Sequence, residues 1–151
     1  MANKKIIYLD SCCLNRPNDD QNQDKIRIET DVILAILNKC ENSNWELVVS
    51  DVLFFEIMKN PNTYNRNKTL MLCSIAKEKI LLDKEIANRA KEVKNYGIKD
   101  LDSLHFASAE FGNADVLLTV DIDFIKNSKN VKTNLTVENP VNWYMKEIEN
   151  D

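Results

Sequence analysis

Five acidic side chains stand where a folded α/β chain would gather its strand ends. Asp10 directly follows the apolar run Ile6-Ile7-Tyr8-Leu9. Asp121 and Asp123 directly follow a second such run, in Leu117-Leu118-Thr119-Val120-Asp121-Ile122-Asp123-Phe124. Glu56 lies within the segment after Leu47-Val48-Val49, and Asp102 lies just before the segment that feeds Val116-Leu117-Leu118. Hard divalent cations take oxygen ligands, and a few carboxylates plus water suit Mg²⁺ or Mn²⁺. Carboxylates packed together without a cation repel and raise one another's pKa. A bound cation removes that repulsion, generates hydroxide from water and neutralises charge on a phosphoryl group. The chemistry suited to this set is phosphodiester hydrolysis. Asp10, Glu56, Asp102 and Asp121 are the expected catalytic and metal-holding residues, with Asp123 as a further metal ligand.

Each acid also has a plainer use. Asp10 can cap the loop after it, Glu56 can be a solvated helix residue, Asp102 can favour a helix N-terminus through the dipole, and Asp121 can sit in a turn. The neighbours divide the same way. Ser11 and Thr119 can support a ligand carboxylate or a metal-bound water. Arg16 can hold a phosphate, because its guanidinium matches phosphate oxygens, or it can pair with Asp19 or Asp20. Lys126 is a weaker phosphate candidate. His105 falls on an apolar side and reads as a satisfied core or interface histidine. Asp102, Ser103 and His105 contain triad letters, but helical spacing aims them apart.

The elements that must position these residues follow from periodicity. Ile6–Leu9 is a short continuous apolar run, as a buried parallel strand would be. A polar loop is expected from Ser11 to about Asn22, then a helix over Gln23–Cys40. Leu47–Val49 reads as a second strand, and Ser50 as the N-cap of a helix that carries Glu56 and stops before Pro61. A helix over Asn67–Lys79 should lead to a third strand at Ile80–Leu82. Another helix should end near Gly97. Asp100 is the expected cap of a helix whose inner face is Leu101, Leu104, Ser108 and Phe111. Val116–Leu118 and Leu135–Val137 are the last two strands. Asn139-Pro140 reads as an N-cap followed by Pro at the first helical position, opening a helix with Val141, Tyr144, Met145 and Ile148 inward. This β-α order predicts a parallel sheet of about five strands covered by helices on both faces. Such sheets bind ligands beyond the carboxyl ends of their strands.

The chain of 151 residues fits one domain spanning residues 1–151, and at 44% hydrophobic it can bury a core. Its first apolar stretch is too short for a signal peptide or a membrane span, so a soluble cytoplasmic protein is expected. Cys12, Cys13, Cys40 and Cys73 form no C-x-x-C pair, and the chain has one histidine, which argues against a Cys/His zinc site. They read as free thiols in a reducing compartment. The net charge of −4 speaks against a passive nucleic-acid coat, an objection that two bound Mg²⁺ would cancel.

Three motifs together resemble the PIN-domain family: Tyr8-Leu9-Asp10-Ser11, Asp102-Ser103-Leu104-His105-Phe106-Ala107-Ser108-Ala109, and Leu118-Thr119-Val120-Asp121-Ile122-Asp123-Phe124. Glu56 falls where the family's second acid is expected. The loop Cys12-Cys13-Leu14-Asn15-Arg16-Pro17 resembles one bacterial and archaeal subgroup. The resemblance implies a three-layer α/β/α sandwich, Mg²⁺ or Mn²⁺ in an acidic pocket, and endoribonuclease activity. It further implies the toxin half of a VapC-type toxin–antitoxin pair, with RNA as substrate, a small antitoxin as partner, and a homodimer. The competing class is a catalytically silent module of the same fold that holds RNA or protein without cutting. An aspartate-nucleophile phosphatase would need an acid where Cys12 stands, and a receiver domain would need an early acid pair that the chain lacks.

Overall fold

In the computed structural model, which describes residues 4–150, five parallel strands form one sheet in the order β3-β2-β1-β4-β5. The strands are β1 (Ile6–Leu9), β2 (Glu46–Ser50), β3 (Glu78–Ile80), β4 (Val116–Leu118) and β5 (Thr136–Glu138). In β1, Ile7 lies opposite Leu47 of β2 on one side and Val116 of β4 on the other. Among the described residues, eight helices connect and cover them: α1 (Ser11–Asn15), α2 (Asp24–Glu41), α3 (Asp51–Met58), α4 (Thr63–Cys73), α5 (Lys84–Lys94), α6 (Asp100–Phe111), α7 (Ile122–Ser128) and α8 (Pro140–Glu149).

Strand side chains alternate between the two faces, and the core divides accordingly. Ile7, Leu9, Leu47, Val49, Val116 and Leu118 pack with Ile33, Ile36, Leu37, Leu53, Ile57 and Trp143 of α2, α3 and α8. On the opposite face Tyr8, Val48, Leu117 and Val137 pack with α5, α6 and α7 through Ile86, Val93, Phe106, Ala107 and Phe124. The result is the expected three-layer α/β/α arrangement. Because β1, β2 and β4 are covered on both faces, they read in the sequence as unbroken apolar runs.

Local chemistry explains most element starts. Ser50 Oγ accepts the Leu53 amide at 3.1 Å and opens α3. Asn139 Oδ1 accepts the Val141 amide at 2.8 Å, with Pro140 at the first helical position of α8.

Several expected boundaries shift. The loop after Asp10 begins as helix α1, continued by a 3₁₀ turn at Arg16–Asn18, because Asp10 itself supplies an N-cap. The helix expected over Asn67–Lys79 instead runs Thr63–Cys73, opened by the Asn62 side chain. The third strand is Glu78–Ile80 rather than Ile80–Leu82. It is an edge strand, and Leu81 and Leu82 lie beyond it, largely exposed. The last strand is Thr136–Glu138 rather than Leu135–Val137. Asp100 does not cap α6; Lys99 holds that position, and Asp100 pairs with Lys94. Within α6 the buried residues are Ser103 and His105 to Ala109, while Phe111 is 44% exposed. The helix lies between the sheet and α5, so it is buried on more than the one face that a simple amphipathic reading allows. In α8, Pro140 and Trp143 are buried and Met145 and Ile148 are exposed. Trp143 packs edge-on against Trp45 at 5.1 Å between ring centres.

Candidate metal centre

The strand order reverses direction between β1 and β4. Connections from β1 run toward β2 and β3, and the chain then returns across the sheet to enter β4. In open α/β sheets such a switch point is where ligands bind, beyond the carboxyl ends of the strands. Asp10 follows β1 there, its amide held by the Leu118 carbonyl at 3.2 Å, and Thr119 follows β4.

Asp10 is 5% exposed. Its Oδ1 accepts the Cys13 amide at 3.2 Å and the Cys12 thiol at 2.8 Å. Burial raises its pKa, against the opposing hydrogen bonds of Cys12, Thr119 and the Cys13 amide. It therefore serves both readings at once, capping α1 and placing a carboxylate at the switch point. Fully buried Thr119 links the two strand ends: its Oγ1 lies 3.5 Å from Cys12 Sγ and accepts the Asp121 amide at 3.2 Å. Asp121 in turn caps α7, accepting the Phe124 amide at 3.1 Å.

Glu56 enters from α3. A single oxygen, Oε1, accepts from Ser11 Oγ at 2.5 Å and contacts His105 Nε2 at 2.7 Å. Burial works to raise its pKa, but the hydrogen bonds from His105 and Ser11, with Lys59 nearby, outweigh it and hold the carboxyl below its ordinary range. Asp102, in the first turn of α6, has the opposite fate. Burial, reinforced by the charges of Asp10, Asp121 and Glu56, pushes it up to about 6. Asp102 thus lies within electrostatic reach of the other three acids, each from a separate chain segment.

This donor set fits a hard divalent cation. It is oxygen-rich and net anionic, and Asp102 carries the mutual repulsion that a cation would relieve. Among the described residues, the His, Cys, Asp and Glu donors that all lie within 4.8 Å of one another are Asp10, Cys12 and Cys13. The four acids are spread more widely, which suits an ion that keeps several waters and takes only one or two carboxylates directly. Cys13 is buried, its thiol pKa raised well above the ordinary value, and it points at the Leu118 carbonyl.

Two expected residues are placed differently. Asp123 is exposed in the first turn of α7. Arg16 is engaged elsewhere: its guanidinium bonds Glu29 Oε1 at 2.9 Å and Asp19 Oδ2 at 3.0 Å, and Asn139 Nδ2 reaches the other Glu29 oxygen at 3.2 Å. Of the two uses read from the sequence, pairing with Asp19 is the one seen. The partner that the sequence does not suggest is Glu29, which is 2% exposed and whose burial demands a cation. Sequence reasoning also missed Tyr8, Ser50 and His105 as neighbours of the site. The signal available was a tyrosine inside an otherwise aliphatic buried strand, whose hydroxyl had to find a partner.

Residues 7–130 match the PIN domain family. The chain belongs to that family. The matched span of this PIN domain runs from β1 past α7 and contains all four acids. Solved structures share its fold. VapBC2 from Rickettsia felis, crystallised bound to a DNA fragment from its promoter, aligns with a TM-score of 0.58 at 19% identity, covering 89% of this chain and 98% of that one. A toxin–antitoxin complex from Klebsiella pneumoniae aligns with a TM-score of 0.59 at 16% identity, covering 86% and 95%. Mycobacterium tuberculosis VapC20, a toxin that cleaves the sarcin-ricin loop, aligns at 0.54 with 8% identity, covering 78% and 92%. No curated protein matches the chain.

Proposed function

We propose that this PIN domain is an Mg²⁺- or Mn²⁺-dependent endoribonuclease and the toxin half of a toxin–antitoxin pair. What supports the reading is that Asp10 and Asp121 follow the carboxyl ends of β1 and β4, and that Asp102 lies within electrostatic reach of Asp10, Asp121 and Glu56. Asp10 and Asp121 are each fixed by capping a helix, so neither has to be ordered when a cation arrives. A bound divalent cation would supply an activated water and neutralise the phosphate under attack. Ser11 donates to Glu56 and Thr119 accepts the Asp121 amide, which supports assigning both to the surroundings of the site.

The substrate reading draws on a local charge that the acidic total hides. Lys25, Lys126 and Lys129 line a cleft of about 440 Å³ that also takes in Ile122, the neighbour of Asp121. None of the three forms an ion pair among the described residues. A single RNA strand leaving the acidic pocket would meet these ammonium groups with its phosphates. The antitoxin reading draws on the VapBC2 and Klebsiella structures and on exposed apolar side chains of α3 and α4, Phe55, Met58, Tyr64 and Met71. A homodimer in the cytoplasm completes the proposal. Among the described residues no helix is long and apolar enough to cross a membrane.

The test compares wild type with Asp10→Asn in MnCl₂ and MgCl₂ titrations followed by calorimetry, with cleavage of mixed cellular RNA on the same samples. Asn keeps the N-cap of α1 while removing the ligand charge, so the fold survives the change. Metal binding and cleavage in wild type, both lost in Asp10→Asn, are expected. Cleavage retained by Asp10→Asn overturns the mechanism, and RNA binding without metal binding or cleavage favours the silent module.

A further inference from the structure

The chain's one histidine is 1% exposed and sits in an unbroken line of hydrogen-bonding groups. Ser50 Oγ lies 2.6 Å from the Tyr8 hydroxyl, and that hydroxyl lies 2.6 Å from His105 Nδ1. His105 Nε2 lies 2.7 Å from Glu56 Oε1. Ser50 and Tyr8 are fully buried. The four residues come from β2, β1, α6 and α3, so the line joins two strands and two helices.

The proton order along this line follows from donor and acceptor capacity. An ionised Glu56 only accepts, so Nε2 must carry hydrogen. Ser50 Oγ already accepts the Leu53 amide at 3.1 Å, and its own hydrogen points to the remaining close acceptor, the Tyr8 oxygen. Tyr8 then donates to Nδ1. In this order every hydroxyl and ring hydrogen has an acceptor and the buried imidazole stays uncharged. The reverse order leaves the Ser50 hydrogen without an acceptor and protonates both ring nitrogens in a buried position. Burial also raises the pKa of Tyr8 far above its ordinary value, so the phenol keeps the hydrogen it donates.

Resting on the nuclease reading above, we propose that Ser50, Tyr8 and His105 are positioning residues that lock His105 as its Nε2–H tautomer and fix Glu56 by one oxygen. Ser11 and His105 both bond Oε1, and among the described residues Oε2 accepts no hydrogen bond. The relay therefore turns the free oxygen, Oε2, outward for a cation or its water. Groups that orient a metal-binding side chain in this way typically change metal affinity or activity by about 10- to 100-fold when removed. A histidine kept only for packing would have no such effect.

The single imidazole makes the test direct. Two-dimensional ¹H–¹⁵N spectra of metal-free wild type should show one histidine with a protonated Nε2 and an acceptor Nδ1. Tyr8→Phe keeps the ring in the core but removes the donor to Nδ1, so the Nδ1 signal should shift as its hydrogen bond is lost while Nε2, facing ionised Glu56, stays protonated. Mn²⁺ affinity, read by calorimetry on the same samples, should fall about 10-fold, with the denaturation midpoint recording any change in folding separately. His105→Gln retains an N–H donor near Glu56 and should recover part of the affinity that His105→Leu loses. An Nδ1–H tautomer in wild type overturns the proton order. Unchanged Mn²⁺ affinity in Tyr8→Phe, in a wild type that binds Mn²⁺ and cuts RNA, overturns the positioning role and leaves the nuclease reading standing. A wild type that binds no Mn²⁺ overturns the nuclease reading and the positioning role with it.

Discussion

Asp102, a metal-holding residue in the proposed nuclease, is costly to the fold. Its folded pKa lies near 6, above the ordinary 3.8, so the folded state holds this proton more tightly than the unfolded chain does. The stability that follows is present below about pH 4 and is lost as pH rises through 6. In metal-free protein at pH 7 the ionised carboxylate therefore destabilises the folded state. Asp102→Asn should therefore raise the metal-free melting temperature at pH 7, leave it nearly unchanged at pH 4, and abolish cleavage. Thermal denaturation at the two pH values checks this. A lower melting temperature at pH 7 would mean that Asp102 is not the carboxyl carrying the repulsion. Glu56, shifted the other way by its hydrogen bonds, should show no such gain as Glu56→Gln.

At the scale of elements, the segment after β1 is tied down by a buried ion pair rather than by a phosphate ligand. Arg16 in the 3₁₀ turn, Glu29 in α2 and Asn139 at the start of α8 join three elements through one carboxylate. Removing one partner of a buried pair strands the other charge, at a cost of roughly 3 kcal/mol or more. Arg16→Ala should lower the denaturation free energy by about that amount. A change below about 0.5 kcal/mol, with RNA affinity lost, would restore the phosphate role. Asn139→Ala should cost about 1 kcal/mol through its cap and more through Glu29.

Over the whole molecule, an acidic chain binds a polyanion only if its charge is segregated. Three lysines without ion pairs among the described residues, Lys25, Lys126 and Lys129, line the cleft beside Ile122 together with one acid, Glu138. Replacing Lys25, Lys126 and Lys129 together by Ala should weaken RNA binding and reduce the slope of log affinity against log salt by about 2, with metal binding intact. Saturating Mn²⁺ at about 100 times its Kd should raise stability by about 2.7 kcal/mol in wild type and not in Asp10→Asn, measured by denaturant melts.

Much of this was legible in the sequence, for physical reasons. Buried parallel strands need unbroken apolar runs, so β1, β2 and β4 announced themselves. Caps are local, so Ser50 and Asn139-Pro140 were readable. Asp10 directly after β1 and Asp121 three residues beyond β4 stood out because parallel sheets place their ligand sites at the carboxyl ends of the strands. Helix α1 has five residues, too few for periodicity to register, and β3 is an exposed edge with Glu and Lys where an apolar signal would be. What the sequence by itself determined was the layered α/β/α architecture, because apolar runs and caps depend on residue type and neighbours in the chain; it offered the four acids as candidates on the same ground. Only the tertiary structure decided that Arg16 belongs to Glu29 and that Ser50, Tyr8 and His105 stand in line behind Glu56. Those pairings join residues 13 to 97 positions apart, and a hydrogen-bond partner at that separation is set by how the sheet brings its layers together.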